Sequence, residues 1–405
     1  MTYKRFKATV LLGAAFALAG CMAFRDDPYE GRLNSVTVTA VYPDGYSGFV
    51  HEGAEVQAEN VQTGSLYTFL TDASGRAAAR LPNGIYRFSM SDRSGSNLFN
   101  GTHDRVLVSD APAAVELKLL RSQTGELVIK EVYSGGCSKA PLEGNYQSDK
   151  YVILHNNTGK TVFLDSLCIG TLAPYNSTAS NPWPDEADRY ACARIVQALL
   201  QVGGDGDDFP LASGEDAVIC FNGAIDHTVQ YPLSVNLNRE DCFVCYNTTY
   251  FPNPLYHPAP GDKIRPDHFL NIVIKTGQAN AYTLSLTSPV LVIFKAKGIS
   301  IQDFVGRPEH VVQIPGSTAD RVVNIPLDWI MDGVEIFDGR SGNNTKRLSP
   351  SVDAGYATLS DIYQGRTVFR KTDEAQTAKA GYEVLQDTNN SKNDFYERAT
   401  QSLHD

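Results

Sequence analysis

The residues of this 405-residue chain that could do chemistry stand in short clusters, and none of the clusters is a complete catalytic motif. Asp205, Asp207 and Asp208 surround Gly206, and carboxylate oxygens on a glycine-containing loop could hold Ca²⁺. The segment is not an EF-hand, because its sixth position is Pro210 where that loop needs glycine. A solvated acidic loop is the alternative that we favour for this segment.

Two further polar segments are candidate sites. Asp226 precedes His227, and a carboxylate beside an imidazole can ligate a metal or orient a partner group. The same pair can also cap a turn after a strand, which is the interpretation that we prefer. The run 387–391, with Asn393 and Asp394 close behind it, is rich in oxygen ligands, but Asx-turns explain it and we favour them.

A fourth cluster is aromatic and suits binding better than catalysis. It consists of Tyr246, Tyr250, Phe251, Tyr256 and His257, interleaved with four prolines at positions 252, 254, 258 and 260. Aromatic side chains on a proline-stiffened loop offer a large contact area at a low entropic cost. The equally weighted alternative is a compact Ω-like loop that packs its own side chains.

The chain contains no G-x-S-x-G elbow, no phosphate-binding glycine loop and no H-E-x-x-H helix. We therefore expect a binding protein that is not an enzyme. We expect no cofactor, with Ca²⁺ on the acidic loop as the one exception considered. The formal net charge is −11, and basic residues form no cluster beyond the amino terminus, so nucleic-acid binding is not expected.

The first twenty residues predict a targeting signal. Basic residues at positions 4, 5 and 7 precede an apolar stretch, 8–17, that is too short to span a bilayer. The stretch ends in Leu18-Ala19-Gly20-Cys21, which resembles the bacterial lipoprotein signal. That resemblance implies cleavage before Cys21 and lipidation of Cys21, with residues 21–32 as a tether. A secretory signal with an incidental cysteine is the alternative.

Acidic residues after Cys21 resemble the surface-export signal of Bacteroidota lipoproteins. The implied location is the outer membrane, with the protein held by its lipid and facing the cell surface.

Composition and patterning then predict the elements that position these clusters. An all-β fold is favoured by the composition, which is rich in Tyr, Gly and Pro, and by the runs of β-branched residues. Few segments show a helical pattern. We expect two β-sandwich domains, 33–120 and 126–338, and a carboxyl-terminal extension, 339–405, that packs on the second domain.

Six cysteines remain after Cys21, an even number that suggests disulfides outside the cytosol. Cys242 and Cys245 lie three apart on a predicted strand, which is too far to bridge each other. We expect cross-strand partners or free buried thiols, in preference to a zinc or redox site.

The first predicted domain resembles a known family. Gly53-x-x-Val56, Thr71-Asp72-x-x-Gly75 and Pro82-x-Gly84-x-Tyr86 occur in the order found in transthyretin-like domains of the carboxypeptidase-regulatory type. The resemblance implies a seven-stranded sandwich in which these residues serve turns and core. It implies no catalytic role.

The second predicted domain opens with three apolar runs, Leu127–Tyr133, Tyr151–Asn156 and Val162–Ile169, that read as strands. With the segments 211–221 and 325–335, they resemble the lamin-tail domain, which implies an immunoglobulin-like sandwich. Lys150 and Ile153 stand where that family often has acidic residues, so any role of those acids is in doubt here.

An insertion, residues 171–210, lies between the third predicted strand, Val162–Ile169, and the segment 211–221. Asp185 could cap a helix, apolar residues from Ala187 to Leu199 recur on one face, and Gly203-Gly204 would end it. In the extension we expect a strand at 365–371, a helix at 373–380 and fraying beyond Phe395.

The whole arrangement resembles an uncharacterised family of Bacteroidota lipoproteins that join a transthyretin-like domain to a lamin-tail-like one. Our leading hypothesis is a lipid-anchored binding protein, accessory to a TonB-dependent nutrient transporter. The alternatives are an adhesion or cell-envelope structural protein and, third, a metal-dependent hydrolase that uses Asp226, His227 and the acidic loop.

Overall fold

The computed structural model describes residues 33–50, 52–94, 97–123 and 125–404, apart from the side chains of residues 93, 94, 122 and 123. The predicted signal peptide, the predicted lipidation site Cys21 and the predicted tether lie outside these residues. Over the part described, the fold is all-β with several sheets, as predicted, and contains four short α-helices. None of the described helices has the length and apolar character needed to cross a bilayer.

Residues 33–123 form a β-sandwich, which we call the first domain. Its strands are β1 Asn34–Val41, β2 Glu55–Asn60, β3 Leu66–Leu70, β4 Arg76–Leu81, β5 Gly84–Ser94, β6 Asn97–Val108, β7 Ala113–Lys118 and β8 Leu120–Gln123. One sheet has the order β4-β1-β7 and the other β3-β2-β5-β6-β8. Strands β1 and β2 alternate between buried and exposed residues, so Val36, Val38 and Val56 enter the core while their neighbours face outward.

The remaining chain builds a second, larger sandwich. Its strands are β9 Leu127–Tyr133, β10 Cys137–Ser138, β11 Asn145–Tyr146, β12 Tyr151–Asn156, β13 Val162–Phe163, β14 Cys168–Leu172, β15 Ala193–Gln201, β16 Pro210–Leu211, β17 Asp216–Cys220, β18 Cys242–Val244, β19 Asn271–Lys275, β20 Val290–Phe294, β21 Val311–Gln313, β22 Arg321–Ile325, β23 Ile330–Asp338, β24 Ala357–Leu359, β25 Thr367–Arg370 and β26 Phe395–Arg398. The helices are α1 Glu186–Arg189, α2 Ile301–Val305, α3 Glu374–Ala380 and α4 Ser391–Asp394.

Two main sheets face each other in this second domain. The six-stranded sheet has the order β18-β17-β12-β9-β25-β26, and the eight-stranded sheet runs β21-β22-β15-β14-β20-β23-β24 with β19 beside β15. Ile129, Leu154, Ile293 and Val334 belong to the core between them. The outer face of each sheet is covered as well, by helix α2 on one side and by loops from the segment 224–264 on the other. Burial on both faces explains why consecutive residues of β9 and β12 are buried, with no alternation between buried and exposed positions.

The helix predicted for the insertion is wrong after its first turn. Asp185 does cap a helix by accepting a hydrogen bond from the Asp188 amide, but α1 ends at Arg189 and β15 follows. Ile195 belongs to the core on one face of the eight-stranded sheet, whereas Leu200 belongs to the core on its other face. A strand buried on both faces can have apolar residues at consecutive positions, and such a run cannot be told from a buried helix by periodicity.

The third predicted strand, 162–169, is divided between two sheets. Val162 and Phe163 form β13, which pairs with β16, and Cys168 begins β14 in the eight-stranded sheet. The chain turns between them, with Ser166 at a φ of 60°. The turn is held by Asp165, whose carboxylate accepts hydrogen bonds from backbone amides of the loop 206–209.

All six described cysteines are free thiols, so the disulfides that their even number suggested are not formed. Five of the thiols are buried, and Cys220 lies diagonally across a parallel strand pair from Cys242. Burial raises the pKa of Cys168 to about 12, which keeps the thiol protonated and unreactive.

The carboxyl-terminal extension belongs to both domains, not only to the second. Strands β25 and β26 extend the six-stranded sheet, so the predicted fraying beyond Phe395 is wrong. The predicted strand and the helix α3, capped by Asp373 and ended by Gly381 in the left-handed conformation, are confirmed. The extension also contacts the outer face of the first domain: Tyr356 donates to Glu59, and Lys392 forms an ion pair with the same carboxylate at 3.1 Å.

A buried charged cluster ties the extension to the second domain. The guanidinium of Arg370 lies 2.5 Å from Asp332, 3.4 Å from Asp387 and 3.9 Å from Asp394, and it also donates to the carbonyl of Ile129. Burial raises the pKa of Asp332 to about 6, although the guanidinium opposes that shift. It raises the pKa of Asp394 to about 7. Because Asp332 and Asp394 also lie near the Asp387 carboxylate, these two acids retain their protons well above the usual range.

Candidate functional site

Three loops pack against one another beside the six-stranded sheet. They are residues 137–147, 221–234 and 246–260, and we call the surface that they form the loop end. The Tyr146 hydroxyl lies 2.8 Å from Nδ1 of His227, and its ring centroid lies 4.2 Å from that of Tyr231. Gln147 donates to the Tyr256 hydroxyl at 2.9 Å, which connects the first loop to the third. The loops therefore form one structured surface.

Large apolar side chains stand exposed on all three of these loops. Val229 is 84 % exposed and Leu255 is 77 % exposed, and Leu142, Leu233 and Tyr250 are exposed as well. Exposed apolar side chains carried by loops that pack together can serve as a contact surface for another molecule. The loop end is therefore our candidate functional site.

Sequence reasoning missed the aliphatic members of this surface, Leu142, Val229, Leu233 and Leu255. Each is a single apolar residue in an irregular segment, so it belongs to no periodic pattern. The sequence feature that could have indicated this surface is the aromatic cluster of the third loop, which predicts a contact surface there.

Only part of the predicted aromatic cluster can reach a ligand. Phe251 is 1 % exposed in the main core, and His257 is 3 % exposed. Nδ1 of His257 lies 3.0 Å from the Cys245 carbonyl, while Nε2 accepts from the Tyr282 amide at 3.1 Å. These two side chains hold the loop, as the Ω-like alternative proposes.

The other three members are more open. Tyr250 is exposed, and Tyr246 and Tyr256 are half-buried. Tyr246 packs edge-on against Phe269. Of the five predicted ligand-binding side chains, these three tyrosines are therefore the ones available at the surface.

Asp226 and His227 make local contacts. The carboxylate of Asp226 accepts from the amide and hydroxyl of Thr228 and caps a short 3₁₀ turn, 227–229. His227 is buried, and burial lowers its pKa. Its Nε2 lies 2.6 Å from the Gly223 carbonyl and its Nδ1 faces the Tyr146 hydroxyl, so both ring nitrogens are engaged. The pair acts as the turn cap that we preferred.

The acidic loop is organised by a residue outside it. The carboxylate of Asp165 accepts from the amides of Gly206, Asp208 and Phe209, each at 3.0 Å. Asp205, Asp207 and Asp208 themselves are exposed, and Asp208 bonds the Asp205 amide at 2.8 Å. Over the described ranges, no group of three or more His, Cys, Asp or Glu side chains is arranged to hold a metal ion. The structure does not join the acidic loop to Asp226 and His227.

Residues 212–402 match the model of a family described as "Protein of unknown function (DUF4876)". The match includes the second and third loops of the loop end and most of the extension. No curated protein matches this chain.

Among solved structures, a DUF4876 family protein from Bacteroides thetaiotaomicron has 21 % identity and a TM-score of 0.59, covering 91 % of this chain and 95 % of its own. A DUF3823 family protein from Parabacteroides merdae covers 36 % of this chain and 69 % of its own, with 10 % identity and a TM-score of 0.17. The match to a candidate adhesin from Bacteroides ovatus covers 72 % of this chain and 90 % of the adhesin, with 10 % identity and a TM-score of 0.22. The last two scores are too low to carry an argument.

The first of these structures shares the fold of this chain, and its description names the same family as the model that matches residues 212–402. Together the two findings support a relationship of this chain to an uncharacterised family of Bacteroidota proteins.

Proposed function

We propose that this protein is a lipid-anchored binding protein on the surface of the outer membrane, accessory to a TonB-dependent transporter, and that the loop end contacts the transporter. The observation that carries the proposal is the exposure of Val229, Leu255 and Leu142 on three loops that pack together. Burying these side chains against a partner would remove apolar surface from water, which is the main source of affinity at protein interfaces.

The partner is expected in the same membrane because of the signal that ends at Cys21. Acyl chains on that cysteine would anchor the protein stably. Anchoring confines both proteins to one plane and raises their effective concentration, so a surface of modest affinity suffices for association. A transporter barrel in the outer membrane meets this condition.

The proposal is one of binding without a chemical step. Both ring nitrogens of His227 and of His257 are engaged in hydrogen bonds, and the acidic loop stands apart from them. The metal-dependent hydrolase hypothesis needs Asp226, His227 and the acidic loop in one place, which is not the observed arrangement.

Photo-crosslinking in intact cells tests the proposed contact. A benzoyl-phenylalanine at position 229 or 255 is expected to crosslink to an outer-membrane barrel protein identified by mass spectrometry. The matched control positions are Leu70 and Leu107, which are 60 % and 66 % exposed but lie on the first domain. Crosslinking to the barrel only from the loop end supports the proposal, and equal crosslinking from the control positions contradicts it.

Paired variants give a quantitative version of the same test. Val229→Asp with Leu255→Asp is expected to reduce co-purification of the barrel at least about tenfold, since losing about 1.4 kcal/mol or more at an interface has that effect. The Leu70→Asp and Leu107→Asp pair should leave co-purification unchanged. A partner identified as a protein of another cell would favour adhesion instead.

The proposed lipid anchor on Cys21 can be tested separately from the transporter contact. Mass spectrometry of the mature protein is expected to find its amino terminus at Cys21 with acyl chains attached, and Cys21→Ser should release the protein from the membrane fraction. An unmodified residue 21 in the membrane-bound protein would contradict lipid anchoring.

A further inference from the structure

A polar cleft lies between the first domain and the carboxyl-terminal extension, away from the loop end. Its volume is about 400 Å³. Sites that enclose small molecules begin at roughly 300 Å³, and they often lie between domains. The cleft is therefore large enough to take a compact organic ligand.

One wall of the cleft is the outer face of the first domain. Strand β2 alternates, so Val56 enters the core while Glu55 and Gln57 face the extension. Ser89 on β5 pairs directly with Gln57 in the antiparallel register, and both line the cleft. The wall is a section of regular sheet, which holds these side chains in fixed relative positions.

The opposite wall is the segment 386–393 together with Lys371. Asp394 holds this segment in place by accepting hydrogen bonds from the amide and hydroxyl of Thr388 at 2.8 Å each. Asn390 donates to Ser91 on β5 at 2.9 Å, which fixes the distance between the two walls. The oxygen-rich run that the sequence analysis assigned to Asx-turns thus also lines a cleft.

The lining offers hydrogen bonds and positive charge but no aromatic ring. Lys371 donates to the carbonyl of Asn393 at 2.5 Å, and its ammonium has no carboxylate partner among the described residues. Lys392 is the second amine of the lining and is paired with Glu59. An ammonium with unused donor capacity at a cleft attracts an anion.

Groups that can bind hydroxyls line the same cleft as this cation. Ser89 can donate and accept, Thr388 can accept because its hydroxyl hydrogen is donated to Asp394, and the Glu55 carboxylate accepts from Gln57 at 2.8 Å with capacity left over. The side-chain oxygen of Gln57 is shielded from solvent without a hydrogen-bond partner. A small rotation of that side chain would let a ligand hydroxyl satisfy an acceptor that is now unpaired.

We propose that this cleft binds a small carboxylate that carries several hydroxyl groups, such as a sugar acid. Its carboxylate contacts the ammonium of Lys371, and its hydroxyl groups contact Ser89, Thr388 and Glu55. A free sugar acid and the acidic end of a glycan share this chemistry. The binding goes beyond the proposed transporter contact and does not depend on it.

Calorimetry on the full mature protein in detergent tests the ligand class. Sodium glucuronate is expected to bind saturably, whereas glucose, which keeps the ring hydroxyls, and acetate, which keeps only the charge, should bind at least about tenfold more weakly. Oligogalacturonate in place of the monosaccharide distinguishes a glycan end from a free sugar acid. Equal affinity for glucose and glucuronate would overturn the role of Lys371, and no saturable binding of any acid would overturn the proposal.

Two variants locate the binding in the cleft. Lys371→Met removes the charge and Ser89→Trp fills the space, and each should weaken glucuronate binding at least about tenfold. Lys379→Met, on the exposed face of α3, is the matched control for charge and should bind as the unaltered protein does. Circular dichroism and the melting temperature show whether each variant is folded. Undiminished binding by the folded Lys371→Met and Ser89→Trp proteins would place the ligand elsewhere and refute the proposal.

Discussion

Replacing Arg370 with methionine should destabilise the protein in a way that depends on pH. The arginine side chain is 1 % exposed and lies within 4 Å of the carboxylates of Asp332, Asp387 and Asp394. Methionine keeps an apolar side chain that can pack on Phe395, against which the guanidinium now stacks at 4.5 Å. The substitution therefore removes the cation and leaves the three carboxyls without it.

The magnitude at pH 8 follows from the cost of an uncompensated buried charge. Removing one partner of a buried ion pair costs about 3–5 kcal/mol. At pH 5 the carboxyls of Asp332 and Asp394 are largely protonated, because burial raises the pKa of the first to about 6 and of the second to about 7. The remaining cost at pH 5 is that of orphaned acceptors such as the Ile129 carbonyl, about 1–3 kcal/mol.

The stability of the unaltered protein should also decrease with rising pH, but by less than that of the Arg370→Met variant. An acid whose pKa is higher in the folded than in the unfolded state stabilises the fold below its unfolded pKa. That contribution is lost as the pH rises through the folded-state pKa values, about 6 for Asp332 and about 7 for Asp394. We therefore expect the free energy of unfolding from this cluster to fall between about pH 4 and pH 7.

Urea unfolding at pH 5 and pH 8 measures these differences. The two tryptophans, Trp183 and Trp329, are both buried in the second domain, so their fluorescence reports its unfolding. Arg340→Met is the matched control, because Arg340 pairs with Asp338 at the surface and such pairs contribute about 0–1 kcal/mol. A loss for Arg370→Met that is the same at both pH values, or no larger than that of the control, would refute the reasoning.

Three further predictions concern the loop end, the acidic loop and the thiols. Phe251→Ala should cost about 3–5 kcal/mol in urea unfolding, whereas Tyr250→Ala should change stability by about 0.5 kcal/mol or less; similar values for both would contradict the assignment of Phe251 to the core. Asp165→Ala should cost about 1–3 kcal/mol and speed amide exchange in the loop 206–209, whose amides lose their acceptor; unchanged exchange would argue against that anchor. Iodoacetamide should label all six thiols after denaturation without reductant and few of them in the native protein, and labelling of fewer than six in the denatured protein would reveal disulfides.

The elements that were predicted well are those whose signals are local. The strands Leu127–Tyr133 and Tyr151–Asn156 have the predicted bounds, because short, mostly apolar runs that end in turn residues indicate buried strands. Helix α3 was predicted for the same reason, since Asp373 caps its start and Gly381 ends it. Local chemistry alone determines these bounds.

The elements that were predicted wrongly depend on distant partners. Residues after Phe395 are ordered because Ser402 donates to the carboxylate of Glu131 and Gln401 donates to the carbonyl of Leu233, contacts that no local pattern announces. The aromatic loop shows the same limit at the candidate site. Phe251 and Tyr250 are adjacent in sequence, yet one is core and the other surface, and only the packing distinguishes them.

The covering of the first domain by the extension has a consequence for the order in which the chain matures. Asn100 and Thr388, and Glu59 and Lys392, are separated by 288 and 333 residues, and strand β9 is flanked on one side by β25. The first sandwich can close its own core soon after synthesis, but its polar outer face stays exposed to water until almost the whole chain has been synthesised. During that interval β9 presents an unpaired edge, which is the kind of surface that chaperones protect from strand-to-strand aggregation.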